Sequence, residues 1–274
     1  MNQKSDDTMD FSRTAGSYDR TRVIPAAVLD AAIRLIRGLE PAWPGRKLLD
    51  IGCGTGQFTA AFARAGWDAT GVDIAPAMIE TARAKSGDRG GPAYAVMDAR
   101  RLGFPDGAFD LVVSSKLFLH IRDWQKAADE IVRVLRPGGR FVYLNELGYF
   151  NNAVRIAFRD FAGRRGYKNL FLGESDLDAV KNYFLCKGCE HRNIESTSLS
   201  WDKTTRYREA FEEIENKSFA EFWSIPEADY RALLEETARW IDGQPGGRDA
   251  AQRMAPRLRI DAYRTAGQGL RNPA

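Results

Sequence analysis

From about residue 22 to residue 147, short apolar and β-branched runs alternate with stretches whose apolar positions recur at helical spacing. Val23–Leu39 has that spacing, with Pro25 where a first helical turn tolerates it. Lys47–Ile51 (KLLDI) is a brief apolar run halted by glycine and reads as a strand. The same reading gives helix over Gln57–Arg64, strand over Ala69–Ile74, helix over Ala77–Lys85 and strand over Ala93–Asp98. Phe109–Ser114 is a further strand and Asp123–Leu135 a helix. Gly139–Leu144 is a fifth strand, introduced by Pro137-Gly138-Gly139. Strands and helices alternating across short glycine-rich loops predict an α/β chain, doubly wound, with a parallel sheet covered on both faces.

The rhythm breaks after Leu147. Residues 149–240 read as mostly helical, with one strand near Asn193–Ser200, and a last strand follows at Arg257–Arg264. Sixteen of the thirty aromatic residues fall in 149–240, an excess that suggests a cap with an apolar lining. A helical subdomain that packs itself with Phe and Trp would show the same pattern, and periodicity does not separate the two.

Composition narrows the classes. Forty basic and thirty-seven acidic residues leave a net charge of +3 with the signs interspersed, which argues against a nucleic-acid partner. Three cysteines are too few for a disulfide framework, the first residues are polar, and no apolar run approaches the ~18 residues of a spanning helix. The expectation is a cytoplasmic protein, monomer or homodimer.

Leu48-Leu49-Asp50-Ile51-Gly52-Cys53-Gly54-Thr55-Gly56-Gln57-Phe58 lies between the first strand and its helix, where a nucleotide loop belongs. Asp73 ends the second strand, seventeen residues past Gly56, where a carboxylate can accept from both ribose hydroxyls. Asp98 ends the third and can accept from an exocyclic adenine amine. The spacing is GxGxG, not the GxGxxG that presents a helix N-terminus to a pyrophosphate. Asp50 adds negative charge beside the loop, which suits the ammonium of a methionine group. S-adenosylmethionine is therefore favoured over NAD.

LLDIGCGTGQF, GVDIAPAMIETAR, AYAVMDARRLGFPDGAFDLVVSS and IVRVLRPGGRFVYLN together resemble the successive motifs of class I S-adenosylmethionine-dependent methyltransferases. The likeness is to the group that includes ubiquinone/menaquinone-pathway C-methyltransferases and covers about residues 11–146. It implies a Rossmann-like seven-stranded sheet of order 3-2-1-4-5-7-6, the last strand antiparallel, under a helical, aromatic-rich cap. The chain then divides into a flexible N-terminal lid (1–21), a cofactor-binding core (22–147), a cap (148–256) holding one core strand near 193–200, and a final strand with tail (257–274). Family roles imply that Asp50, Gly52, Cys53, Gly54 and Gly56 line the methionine end, Asp73 and Ile74 the ribose, and Asp98 and Ala99 the adenine, with Met78 also in the cofactor site. Ser114 and Ser115 would lie beside the sulfur, and Phe11 and Tyr18 would close over the cofactor.

The implied reaction is methyl transfer to oxygen or nitrogen, in preference to carbon, of a small, partly aromatic or apolar acceptor, leaving S-adenosylhomocysteine. In-line displacement draws most of its acceleration from alignment, and a hydroxyl or carbon acceptor also needs a base. His120 and Glu146 are the candidates, each with a plain structural or solvated alternative; Lys116 reads as a surface residue. Trp201, Tyr207, Phe222 and Trp223 are the candidate pocket aromatics, and Lys217 the candidate partner of an acidic substrate group. Cys186-Lys187-Gly188-Cys189-Glu190-His191 offers three soft ligands where a structural zinc site wants four, so no metal is expected. The competing readings are a tRNA- or protein-modifying methyltransferase and a cofactor-binding protein without catalysis.

Overall fold

Every residue of Phe109–Ser114 is buried, as in a strand covered on both faces. The structure, a computed structural model, describes residues 8–22, 24–40, 45–87, 91–148, 151–168 and 170–267. In chain order a 3₁₀ turn (Phe11–Thr14) leads into α1 (Ala15–Thr21) and α2 (Ala26–Arg37). Then come β1 (Lys47–Ile51), α3 (Gln57–Arg64), β2 (Asp68–Asp73), α4 (Pro76–Ser86), β3 (Ala93–Val96), β4 (Phe109–Ser115), α5 (Trp124–Val134) and β5 (Leu135–Leu147). The remainder is α6 (Ala153–Arg164), α7 (Leu177–Cys186), β6 (Glu190–Ile194), β7 (Lys203–Arg206), α8 (Tyr207–Glu215), α9 (Glu227–Asp242), β8 (Ala251–Met254) and β9 (Arg257–Arg264).

Seven strands form one sheet in the order β3-β2-β1-β4-β5-β9-β6, with β9 antiparallel to both neighbours. The two-residue period of the strands splits the core into two layers. Leu111, Val113, Val142 and Leu144 face α2 and α3, while Val112, Phe141 and Tyr143 face α5 and α7. A third cluster, built on Val154, Phe158, Phe211, Phe222, Tyr230 and Leu233, joins α6, α8 and α9 into the cap.

Three expectations are corrected. The strand near 193–200 is β6 at Glu190–Ile194, set by pairing with β9 from Glu190 opposite Arg264 to Ile194 opposite Ile260. Beyond it the Ser196 hydroxyl accepts the Ser198 N–H and turns the chain into a 3₁₀ turn. Not all of 148–256 is cap: α7 lays Val180 and Phe184 on the sheet against Phe141 and Tyr263. Within the cap, β7 and β8 form a two-stranded sheet that the helical reading omitted. Their sequences, KTTR and AQRM, show no apolar alternation. Residues 1–7 of the expected lid lie outside the described residues, and 11–21 are helical. Among the described residues no helix is long and apolar enough to cross a membrane.

Phe118 sits at the centre of the α5/α7 layer, wholly buried, with Trp124, Phe141, Tyr143 and Phe184 around it at ring separations of 4.9–6.1 Å. Its carbonyl accepts the Glu174 N–H, tying the turn after β4 to the chain before α7. Phe118→Ala is expected to cost about 3–5 kcal/mol in urea unfolding, as a cavity-forming truncation. A loss below ~1 kcal/mol would remove it from the core.

Candidate functional site

Parallel strands deliver their carboxyl ends to one edge, and here the loops after β1, β2, β4 and β5 surround a cavity of about 430 Å³. A narrower crevice of about 40 Å³ runs along the glycine loop and shares Tyr18, Arg22, Gly52, Gly54 and Ser115 with it.

The glycine loop is fixed by backbone bonds to β2: the N–H groups of Gly52 and Cys53 both donate to the Val72 carbonyl, at 2.8 and 3.0 Å. The Asp73 carboxylate then accepts the Gly54 N–H and the Ala75 N–H, each at 2.9 Å, so one side chain spans the loop and the start of α4. Gly54 holds φ +54°, a left-handed conformation that turns its N–H toward Asp73 at no steric cost. Gly56 is needed for a different reason. At φ +82° a Cβ there would stand 2.5 Å from the Tyr94 hydroxyl, so it packs the loop on β3 instead of lining the cavity.

Asp73, Ile74, Met78, Ala99, Ser115 and Tyr18 line the cavity, as does Met97, while Asp50 and Cys53 line the crevice. Besides Gly56, two expected cofactor contacts are turned away. The Asp98 carboxylate is held by the Arg100 guanidinium and N–H at 2.8–3.2 Å, because Arg100 folds back two residues along the chain. Ser114 is fully buried, and its hydroxyl donates to the Ile51 carbonyl at 2.7 Å, stitching β4 to β1.

Asp50 is 2% exposed, and its carboxylate accepts the Thr59 hydroxyl at 2.5 Å. Burial pushes its pKa up to about 7 against the opposing hydrogen bonds from Thr59.

The N-terminal segment closes over this edge. Met9 N–H donates to the His120 carbonyl, and Phe11 lies edge-on to the His120 ring at 4.8 Å and meets Trp223 at 5.0 Å. The Thr55 hydroxyl donates to Asp19 at 2.5 Å, and Lys85 pairs with the same carboxylate at 2.7 Å, so α1 is tied to both the glycine loop and α4.

His120 ends a 3₁₀ turn, Phe118–His120, and lines the cavity. Its Nδ1 is buried and has no hydrogen-bond partner among the described residues. Burial, with Lys116 and Arg22 nearby, depresses its pKa to about 3, so the imidazole is neutral at pH 7. Lys116 is not the surface residue expected from sequence. Its ammonium pairs with Glu146 at 2.9 Å, both line the cavity, and burial lowers the lysine's pKa against the attraction of Glu146.

The substrate set of the sequence reading is largely displaced. Trp201 packs on the α2 layer, Tyr207 stacks on Trp240 at 5.8 Å, and Phe222 is fully buried against Phe158 at 4.7 Å. Lys217 pairs with Glu227 at 2.8 Å and covers the Tyr230 ring at 4.4 Å, away from the cavity. Trp223 is not a lining residue of the cavity and meets Phe11, which is one. In their place stand Asn145, Arg155, Arg159 and Glu221, all of which line the cavity. Asn145 follows Leu144 in β5 and its buried Nδ2 has no hydrogen-bond partner among the described residues. The one signal for the arginines was their four-residue spacing within a helical stretch.

Residues 49–143 match the family model described as "Methyltransferase domain". Malonyl-[acyl-carrier protein] O-methyltransferase of Serratia marcescens is 36% identical over 145 residues, covering 50% of this chain and 54% of that protein. The chain thus spans about half the length of this curated relative. Among solved structures, the YcgJ protein of Bacillus subtilis shares the fold at a TM-score of 0.56 and 20% identity, covering 86% of this chain and 98% of that one. A Haemonchus contortus phosphoethanolamine N-methyltransferase 2, in complex with phosphomonomethylethanolamine and S-adenosylhomocysteine, aligns at 0.52 and 21% identity over 93% of this chain and 57% of its own.

A carboxyl group whose folded pKa lies above its unfolded value of about 4 stabilises the fold fully below pH 4 and loses that contribution as pH rises to about 7. Urea unfolding without ligand should therefore show stability falling over this window. Asp50→Asn keeps an acceptor for Thr59 and should remove ~2–4 kcal/mol of the pH-dependent change. Parallel wild-type and variant curves would show that Asp50 ionises freely.

Proposed function

We propose, from the likeness of residues 49–143 to the methyltransferase-domain model, that this chain is a class I S-adenosylmethionine-dependent enzyme that methylates oxygen or nitrogen, in preference to carbon, of a small molecule. The observation that carries the reading is the Asp73 carboxylate, which lines the cavity and is held by two backbone N–H groups beside the glycine loop. An ionised carboxylate has about four acceptor positions, so two remain for a ribose diol.

The residues fit the cofactor along its length. Asp50, in the crevice beside Gly52 and Gly54, supplies a carboxylate for the methionine ammonium, and the arriving cation lowers a pKa that burial has raised. Asp73 with Ile74 takes the ribose. Met97, Ala99 and Met78 offer an apolar slot for the adenine, since Asp98 is engaged by Arg100. When bound, S-adenosylmethionine supplies an electrophilic methyl group on a sulfonium and a neutral thioether as leaving group.

The protein's own contribution is alignment and exclusion of water. The Phe11 turn and α1 cover the edge, and Ser115, Lys116 and His120 follow β4 into the cavity. With a pKa of about 3, His120 is a weak base in the closed cavity and serves best as a neutral hydrogen-bond acceptor that orients an O–H or N–H of the acceptor. Glu146, fixed by Lys116, is the carboxylate placed to receive a proton from an acceptor hydroxyl. Amine acceptors need no such step. Malonyl-[acyl-carrier protein] and demethylmenaquinone methylation by similar proteins supports small acceptors as a class without choosing one.

Asp73→Ala should weaken S-adenosylhomocysteine binding roughly 100-fold in calorimetric titration, the equivalent of two charge-assisted hydrogen bonds at about 1.5 kcal/mol each. Unchanged affinity would remove Asp73 from the site. His120→Ala should leave that affinity within about twofold and reduce turnover of an accepted substrate by ~10²-fold or more; full turnover would make His120 a packing residue.

A further inference from the structure

Arg155 and Arg159 stand four residues apart on α6 and therefore share one helix face. The Asn152 side chain caps α6 by accepting the Arg155 N–H at 2.8 Å, which fixes where that face points. Arg155 is only 5% exposed, yet it lines the cavity, with its guanidinium carbon 3.8 Å above the Phe219 ring. Its Nε donates to Glu221 at 2.8 Å, and Arg159 donates to both oxygens of the same carboxylate at 3.1 Å. Two guanidinium groups thus share one carboxylate, itself 3% exposed.

The rest of the lining does not redress this excess. Lys116 and Glu146 neutralise each other, and Asp73 belongs to the glycine-loop end. Arg22, whose guanidinium donates to the Ser218 carbonyl and covers Tyr18, lines the cavity and the crevice alike, whereas Arg155 and Arg159 line the cavity alone. Burial lowers the Arg155 pKa to about 10 despite Glu221, with Arg159 and Arg22 adding to the effect, so the guanidinium sits in a poorly solvated space. A planar guanidinium pair in such a place is suited to a planar or tetrahedral oxyanion through paired N–H···O bonds.

We propose that the methyl acceptor is an acid, carrying a carboxylate or phosphate group that Arg155 and Arg159 bind at the α6 wall. This rests on the methyltransferase reading of the same cavity. It gives to α6 the role that the sequence reading gave to Lys217, which the fold commits to Glu227. Phe219, beneath Arg155, supplies the apolar floor next to that anion.

The test titrates the full-length protein, with and without saturating S-adenosylhomocysteine, with benzoate, phenyl phosphate and their neutral counterpart benzamide. At least one anion should bind tenfold or more tightly than benzamide, and which of the two does so separates carboxylate from phosphate. Arg159→Gln, at a half-exposed position that leaves the Arg155–Glu221 pair intact, should reduce that preference roughly tenfold with S-adenosylhomocysteine affinity within twofold. Arg155→Lys, the deeper substitution, should do the same where it folds. Equal or absent binding of all three probes by a protein that binds S-adenosylhomocysteine would overturn the proposal, as would an anion preference that survives in Arg159→Gln. Anion preference without S-adenosylhomocysteine binding would keep the oxyanion site and sink the methyltransferase reading instead.

Discussion

The Asp73 carboxylate accepts the N–H of Gly54 and the N–H of Ala75, and through those two bonds it joins the loop after β1 to the loop after β2. Each loop alone is a short run of backbone with few partners. Joined, they make one rigid lip on the carboxyl edge of the sheet, and the cavity begins at that lip. The strand ends behind it are equally constrained, since Ser114 ties β4 to β1 and Gly56 must yield to the Tyr94 hydroxyl on β3. A binding group on such a base is positioned before any ligand arrives, which is where alignment-driven chemistry gains most.

The cavity and the adjoining crevice also concentrate groups that resist ionisation as they stand. Asp50 is pushed up by burial, His120 is pushed down, and Lys116 is lowered despite Glu146. A site of this kind is held in tension by desolvation, and in the proposed reading a cation at Asp50 and an anion at α6 relax it. The surrounding layers supply the rigidity to sustain that tension. The Phe118 cluster lies directly behind the turn that carries His120, and the α6/α8/α9 cluster lies behind the arginines.

The core was legible because its strands and helices obey their periods and because the glycine loop and Asp73 sit at fixed distances from one another. The parallel sheet covered on both faces follows from that pattern, whereas the order of the seven strands and the antiparallel direction of the last follow from the resemblance to class I methyltransferases. The rest was hidden for specific reasons. β6 is an edge strand of sequence EHRNI, without apolar alternation, so its register is set by β9 rather than by its own residues. Trp201, Tyr207 and Phe222 are large and aromatic whether they line a pocket or fill a core, and the fold uses them to pack. Asp98 could not be separated from its neighbour Arg100 by position alone. Arg155, Arg159 and Glu221 meet across sixty-odd residues of chain, a contact that no local pattern announces.

The central claim is that this edge binds an adenosyl sulfonium and not a dinucleotide. Isothermal titration of the protein with S-adenosylmethionine, S-adenosylhomocysteine and NAD addresses it directly. The account predicts saturable binding of both adenosyl ligands, one per chain, and no binding of NAD. Binding of NAD, or of neither adenosyl ligand, would contradict it.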